Sequence, residues 1–186
     1  LGVAVLGGLV AIFGTGYRSD RLVFMDPWND GEGGYGTGYN IIRSYYALAE
    51  GGIFGVGLGN SHEKFQYLFA SESDFIFAVI GEELGMLGCV LTLALLAAIV
   101  IRCIVVARNA KSQLDAYICV GVAGMLVFQI VSNVGMCLFI FPVMGLTLPF
   151  VSYGGSSILT LYAAMGIVSS IKARALPSWL RDRAIQ

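Results

Sequence analysis

Apolar residues form three long runs in this chain, separated by shorter stretches that hold the charges, prolines and glycines. The runs cover residues 74–101, 116–141 and 156–172. A helix rises 1.5 Å per residue, so about 20 apolar residues cross the ~30 Å hydrocarbon layer of a membrane. The pattern therefore predicts three spanning helices. Another apolar run, residues 1–13, is shorter, and we expect it to be the end of a truncated span and the chain to be the C-terminal part of a larger protein.

The composition supports a membrane protein. Hydrophobic residues make up 57% and charged residues 12% of the chain, and the mean hydropathy is +0.79, far from the usual soluble mixture. The net charge of −1 argues against nucleic acid as a partner. The four cysteines lie in or beside the apolar runs and are expected to pack as small apolar residues. The predicted fold class is an all-α, polytopic transmembrane bundle with a large extracytoplasmic loop.

The basic residues predict the orientation of the bundle. Lysine and arginine occur in the 102–115 connection and in the tail, residues 173–186, but not in the 142–155 loop. Because cytoplasmic loops carry the excess of basic residues, the first two segments should face the cytoplasm. The long segment 14–73 and the 142–155 loop then lie outside.

The segment 14–73 is long enough to suggest a function. Within it, "YNIIRSYYALAE" has apolar residues at helical spacing and predicts a helix along the membrane interface. "GGIFGVGLGN" lacks the third glycine of a dinucleotide loop, because that position is Asn60. We interpret it as a tight turn region in which backbone approaches backbone or ligand, with phosphate binding as the lesser alternative.

Acidic residues gather in the stretch "SESDFIFAVIGEELG". Asp74 begins a span and heads a stripe of small residues, which lets helices approach closely in lipid, so its carboxylate should point into the bundle. The alternative is a helix cap, since Ser71 and Asp74 fit a capping box. Glu82 and Glu83 fall inside the span, where ionisable groups are costly and functional by default. The stripe comprises Ala78, Gly81, Gly85, Gly88 and Thr92.

Two further polar features lie near the outer ends of the later spans. Gln129, Ser132 and Asn133 share one helical face, for which interhelical hydrogen bonds are favoured over a substrate contact. The loop "FPVMGLTLPFVSYGGSS" ends in a turn that either receives a polar headgroup or starts the last helix.

Four motifs occur together in this chain: "YRSDR…DPWNDGEGGYGTGYN", "GGIFGVGLGNSHEK", "SDFIFAVIGEELG" and "GLTLPFVSYGGSS". In order and spacing they closely resemble the C-terminal half of the SEDS family (shape, elongation, division and sporulation), whose members include FtsW and RodA. The resemblance covers residues 17–171 and implies a bacterial plasma membrane protein of about ten helices. "GLGNS..K" favours the division member, whereas "NVGMCLFIFPVMGL" departs from its usual pattern, so division, elongation and sporulation remain open.

The resemblance implies a peptidoglycan glycosyltransferase that polymerises lipid II onto a growing glycan strand at the outer membrane face. Membrane lipids surround it, and a class B penicillin-binding protein is its expected partner. The family's essential aspartate falls on Asp74. Where the family usually carries a Pro-Glu-x-His type sequence, this chain reads Phe69-Ala70-Ser71-Glu72. The expected substrate-binding residues are Lys64, Arg18, Arg21, Arg43, Asn60, Ser61, Glu82, Glu83, Tyr153, Gly154, Gly155 and Ser156.

The expected chemistry needs a general base and positive charge. Asp74 would deprotonate the attacking sugar hydroxyl, while Lys64, the arginines or a divalent cation such as Mg²⁺ or Mn²⁺ would neutralise the departing pyrophosphate. Two alternatives remain from the sequence. One is a lipid II flippase or transporter, in which Asp74, Glu82 and Glu83 form an intramembrane path. The other is a non-catalytic divisome scaffold.

Overall fold

The fold consists of α-helices only in the part of the chain that the structure describes. A computed structural model describes residue 27, residues 38–61 and residues 73–175, and these hold no β-strand. Three of the helices are long and apolar enough to cross a membrane, so the predicted all-α transmembrane class is confirmed. The helices are α1 (Tyr39–Gly51), α2 (Ile76–Arg108), α3 (Gln113–Cys137) and α4 (Gly155–Ala175), of which α2, α3 and α4 have spanning length.

The second spanning helix is shorter than the apolar run that predicts it. The run covers 116–141, but α3 ends at Cys137. Beyond that residue the chain turns left-handed at Phe139 (φ 62°), and the amide of Ile140 donates back to Gly135 O at 2.8 Å. The apolar pattern does not predict this helix end, because apolar residues continue beyond Cys137. In contrast, α2 continues past its predicted end to Arg108.

Helix α1 packs closely across α2 at small residues. A Cβ atom added to Gly51 would lie 1.8 Å from Gly81 O, and one added to Gly81 would lie 2.3 Å from Leu48 Cδ2. Ala47, which lies four residues before Gly51 on the same face of α1, is fully buried. The close approach that the small-residue stripe predicts therefore occurs at Gly81, and the partner is α1.

Helix α2 is broken at Gly85. The backbone there has φ 68° and ψ −165°, a combination that belongs essentially to glycine. In an unbroken α-helix, Met86 N would donate to Glu82 O and Leu87 N to Glu83 O. Here neither of these two hydrogen bonds is made, because all four groups bond to another segment of the chain. The expectation of one continuous helix from Asp74 through this stretch is therefore wrong.

The backbone groups freed by the break bind residues 52–57, which we call the glycine loop. Because unsatisfied backbone groups are costly inside a membrane, an irregular helix needs such partners. The break lies about 13 Å along the helix from Ile76, at 1.5 Å per residue. Four hydrogen bonds join the two segments: Val56 N to Glu82 O (2.9 Å), Gly57 N to Glu83 O (3.1 Å), Met86 N to Gly52 O (2.9 Å) and Leu87 N to Ile53 O (3.3 Å).

Two apolar clusters hold the described helices together. One joins α1, the start of α2 and the end of α3, and it includes Leu148 of the α3–α4 loop, residues 138–154. The second lies toward the other ends of α2, α3 and α4. Leu148 therefore places the α3–α4 loop at the end of the bundle where α2 begins. The four buried cysteines divide between the clusters, as their packing interpretation predicts: Cys89 and Cys137 in the first, Cys103 and Cys119 in the second.

Candidate active site

Asp74 lies just before α2, half-buried at one end of the bundle. The helix begins at Ile76 with Phe75 as its N-cap residue, and no side chain makes a capping hydrogen bond there. The first-turn position predicted for Asp74 is therefore wrong, because α2 begins two residues later, and Ser71, its expected capping-box partner, lies outside the described residues.

The backbone on both sides of the Asp74 Cα atom is held by side chains from other segments. Ser152 Oγ donates to Ser73 O, and Asn133 Nδ2 donates to Asp74 O at 2.8 Å. Asn133 is fully buried near the end of α3, and Ser152 is buried in the α3–α4 loop. Two segments distant in sequence thus converge on the residue that carries the candidate base.

The helix does not use the Asp74 carbonyl for its own hydrogen bonds. In a regular turn, Ala78 N would donate to Asp74 O, but it donates to Phe75 O at 3.0 Å. The Asp74 carbonyl therefore needs a donor from elsewhere, since buried backbone groups are almost always paired. Asn133 is that donor.

The α3–α4 loop forms a wall beside the carboxylate. Gly145 is exposed and has φ 64°, and a Cβ atom added to it would lie 3.7 Å from Asp74 Oδ2. The same loop is fixed to the start of α4 by a hydrogen bond of 2.9 Å between Thr147 Oγ1 and Ser157 Oγ. The carboxylate thus faces the backbone of a residue that has no side chain.

We predict that Gly145→Ala weakens both folding and activity. Its left-handed backbone costs an L-residue about 1–2 kcal/mol, and relief of this strain would displace the wall beside Asp74 Oδ2. The free energy of unfolding should fall by about that amount. Thermal unfolding in detergent measures the first effect, and the lipid II polymerisation that the resemblance implies measures the second. Gly121→Ala is the matched control, because its added methyl group meets open space; equal behaviour of the two variants would contradict the prediction.

Ser61 and Glu82 form a buried pair behind the glycine loop. Ser61 Oγ donates to Glu82 Oε2, and Glu82 is 0% exposed. Glu83 is half-buried and Asn60 is exposed. Glu82 lies about 9 Å along α2 from its first residue, Ile76, at 1.5 Å per residue. These predicted substrate-binding residues therefore do not share one surface with each other.

The predicted residues of the last outer loop lie at the start of α4. Tyr153 is 77% exposed, Gly154 O accepts from Ile158 N at 2.9 Å, and Gly155 is the first helical residue. The "YGGSS" turn therefore starts the last helix. Ser156 lines a cavity of ≈ 270 Å³ between α3 and α4, together with Met125, Gln129, Ser157, Thr160 and Leu161.

The basic residues are only partly described. Arg43 is half-buried, and its guanidinium carbon lies 5.1 Å from the centroid of the Tyr39 ring, a favourable distance for a cation–π contact. Lys64, Arg18 and Arg21 lie outside the described residues.

Sequence reasoning missed two residues that surround the candidate base. Gly145 and Ser152 belong to the quoted motif "GLTLPFVSYGGSS", yet a single glycine or serine in a loop carries no periodic signal. The motif itself was the only signal that could have found them. Asn133 was interpreted as an interhelical hydrogen-bonding residue, but its partners are two carbonyls outside the helices, those of Asp74 and Leu146.

Comparison with known proteins gives consistent relatives. The cell cycle protein family model named for FtsW, RodA and SpoVE matches residues 1–176. Stage V sporulation protein E of Bacillus subtilis is 39% identical over 173 residues, which is 92% of this chain and 46% of that protein. A probable peptidoglycan glycosyltransferase FtsW of Pseudoalteromonas translucida is 42% identical over 171 residues, 90% of this chain and 42% of that protein. The chain spans about half the length of the curated relatives it matches.

Two solved structures share the fold. A protein of a peptidoglycan synthase complex, described as coordinating polymerization and crosslinking, has a TM-score of 0.67 and 30% identity over 95% of this chain and 49% of that one. A mutant of the rod shape determining protein RodA from Thermus thermophilus has a TM-score of 0.58 and 31% identity over 92% of this chain and 51% of that one. The resemblance inferred from the motifs is confirmed, and the chain belongs to the FtsW, RodA and SpoVE family of cell cycle proteins.

Proposed function

We propose that the protein containing this chain is a peptidoglycan glycosyltransferase that polymerises lipid II into glycan strands at the outer face of the bacterial plasma membrane. The observation that carries the proposal is the setting of Asp74: half-buried, outside the helix it precedes, anchored through backbone carbonyls and facing Gly145. Support comes from relatives about 40% identical that bear the name peptidoglycan glycosyltransferase.

Asp74 is the proposed general base. A hydroxyl of the acceptor sugar attacks the anomeric carbon of the donor and forms the new C–O bond. The bond between that carbon and the pyrophosphate oxygen breaks, and the lipid pyrophosphate leaves with the electron pair. The hydroxyl proton passes to an Asp74 carboxylate oxygen and then to water. Such a positioned base typically contributes about 10²- to 10⁴-fold to the rate.

Positive charge is the second requirement, because the departing pyrophosphate gains negative charge. Lys64, Arg18, Arg21 and Arg43 are the proposed sources. Arg43 lies on α1, the helix that crosses α2 at Gly81, so its cation is carried by an element packed against the helix that follows Asp74. The contact with the Tyr39 ring restricts the guanidinium.

A divalent cation, Mg²⁺ or Mn²⁺, is proposed only as a second source of positive charge. Such ions need several oxygen ligands. In residues 38–61 and 73–175, no three His, Cys, Asp or Glu side chains come together to hold a metal. Mg²⁺ usually binds one or two carboxylates together with substrate phosphates and water, so a group of three described side chains is not required, and no step of the proposed reaction depends on the ion.

The surroundings of the enzyme follow from the same proposal. The protein lies in a membrane, and membrane lipids contact the apolar faces of its spanning helices. We propose a cytoplasmic C-terminus, because Lys172 and Arg174 lie in the last turn of α4 and cytoplasmic ends carry the basic excess. The proposed partner is a class B penicillin-binding protein, which would crosslink the strands. One solved relative belongs to a synthase complex described as coordinating these two activities.

The test is polymerisation of labelled lipid II by the purified full-length protein that contains this chain, together with its penicillin-binding partner. The expected result is long glycan strands. Lipid II translocation in proteoliposomes without polymer would favour the flippase alternative. Absence of both activities, with the partner still recruited, would favour a scaffold.

A further inference from the structure

We propose that Asn133 and Ser152 are positioning residues that aim the Asp74 carboxylate, an inference that rests on the proposed function. Among the described residues, neither side chain donates a hydrogen bond to the carboxylate. Both bind the backbone at Ser73 and Asp74. They act on the reaction through Asp74 and are not themselves catalytic residues.

The geometry restricts the backbone of Asp74 from both sides. Each peptide group is planar, so a donor that holds a carbonyl oxygen orients the whole plane. Ser152 orients the plane before the Asp74 Cα atom through Ser73 O, and Asn133 orients the plane after it through Asp74 O. With φ and ψ of Asp74 thereby set, only its two side-chain torsions remain to direct the carboxylate.

The chemistry of residue 133 fits this task closely. The Asn133 amide nitrogen donates one hydrogen to Asp74 O and the other to Leu146 O, at 2.8 Å and 2.7 Å. Because both partners are carbonyl acceptors, the position requires two donor hydrogens on one small neutral group, which among side chains of this size only asparagine supplies. The amide oxygen is buried and has no hydrogen-bond partner within the described ranges, so both hydrogen bonds of this amide are donations.

The two anchors also fix the carboxylate relative to the wall beside it. Asn133 holds Leu146 O, and Ser152 Oγ accepts from Leu148 N at 2.8 Å. Gly145, next to Leu146, faces Asp74 Oδ2. The base and the surface that it faces are therefore held as one unit. Loss of an anchor should misalign the base with the acceptor hydroxyl and loosen the α3–α4 loop beside it, while the glycine loop keeps its contacts with α2.

Steady-state polymerisation by the full-length protein tests the aim of the base. Asn133→Asp keeps the side-chain size but removes the amide hydrogens, and Ser152→Ala removes one donor. We expect kcat to fall about 10- to 100-fold for Asn133→Asp, since small misplacements cost that much, with KM within about twofold of wild type. Ser132→Ala is the matched control, because Ser132 is also a buried polar residue and is adjacent on α3. Unchanged kcat for Asn133→Asp and Ser152→Ala would overturn the proposal.

Hydrogen–deuterium exchange separates this proposal from the proposed function. In Asn133→Ala, faster exchange should be confined to residues 73–79 and 142–152, while residues 52–57 and 82–87 keep wild-type protection. Faster exchange in all four segments would mean general loosening and would overturn the positioning role, as would wild-type exchange throughout. Because this readout needs no activity, a wild-type protein that fails to polymerise lipid II would refute the function, while exchange still decides whether the anchors hold Asp74.

Discussion

Replacing Asp74 with asparagine is expected to lower lipid II polymerisation by about 10²- to 10⁴-fold, the usual contribution of a positioned general base. An amide of the same size cannot accept the proton of the attacking hydroxyl. The substitution should leave the fold intact, because Asn133 and Ser152 bind backbone carbonyls that the variant retains. A loss of activity in Asp74→Asn therefore reports on chemistry and not on folding.

The measurement compares initial rates of labelled lipid II polymerisation for wild type and Asp74→Asn, each with the penicillin-binding partner. The apparent melting temperature in detergent should agree between the two proteins. Asp115→Asn provides the matched control: it makes the same chemical change in the first turn of α3, at the opposite end of that helix from Asn133. If Asp74→Asn polymerises at the wild-type rate, Asp74 is not the base.

The helices could be predicted because each carries its own signal. Uninterrupted apolar runs identify α2, α3 and α4, and the spacing of Ile41, Ile42 and Tyr45 identifies α1. The close approach at Gly81 was also accessible, since small residues recur on one face. These are local properties of a segment, so they can be recognised without knowing which other segments pack against it.

The break in α2 could not be predicted, because its cause lies elsewhere in the chain. Glycine is common in membrane helices, and the local sequence around Gly85 does not differ from that of an unbroken helix. The break is stable only because residues 52–57 bind the freed carbonyls and amides. The glycines of that segment predict a tight turn in which backbone approaches backbone or ligand, and contact with backbone is the geometry observed, but they do not indicate which segment is the partner.

The candidate site shows the same contrast between local signals, which the sequence reveals, and long-range contacts, which it does not. Asp74 was identified through its motif and its position at the start of a predicted span. Gly145 and Ser152 were not found, and Asn133 was assigned a different partner, because all three reach Asp74 from positions far along the chain. Contacts between such distant residues depend on how α2 and α3 pack, and no periodic pattern in the sequence predicts that packing.

Gly85→Ala is expected to lower the free energy of unfolding by about 3 kcal/mol or more, since the backbone strain alone costs about 1–3 kcal/mol. The added Cβ atom would lie 2.4 Å from Gly55 N and 2.5 Å from Ile53 O. Both obstacles are backbone atoms, so no side-chain rotation relieves the contact. The variant can relax by expelling the glycine loop and closing α2 into a regular helix, which exchanges four hydrogen bonds between segments for two within the helix.

Expulsion of the glycine loop would also disturb activity, because the chain that leaves it reaches Ser61, whose hydroxyl pairs with the buried Glu82. Without that donor the buried Glu82 carboxyl group loses one hydrogen bond, which is costly away from water. Thermal unfolding in detergent measures the loss of stability, and hydrogen–deuterium exchange at residues 52–57 measures expulsion of the glycine loop. Lipid II polymerisation measures the loss of activity. Gly166→Ala serves as control, since its methyl group meets open space in α4 and should be neutral or stabilising by up to about 1 kcal/mol. Wild-type stability of Gly85→Ala would mean that the break in α2 is not required, and that α2 tolerates a regular helix at this position without the glycine loop.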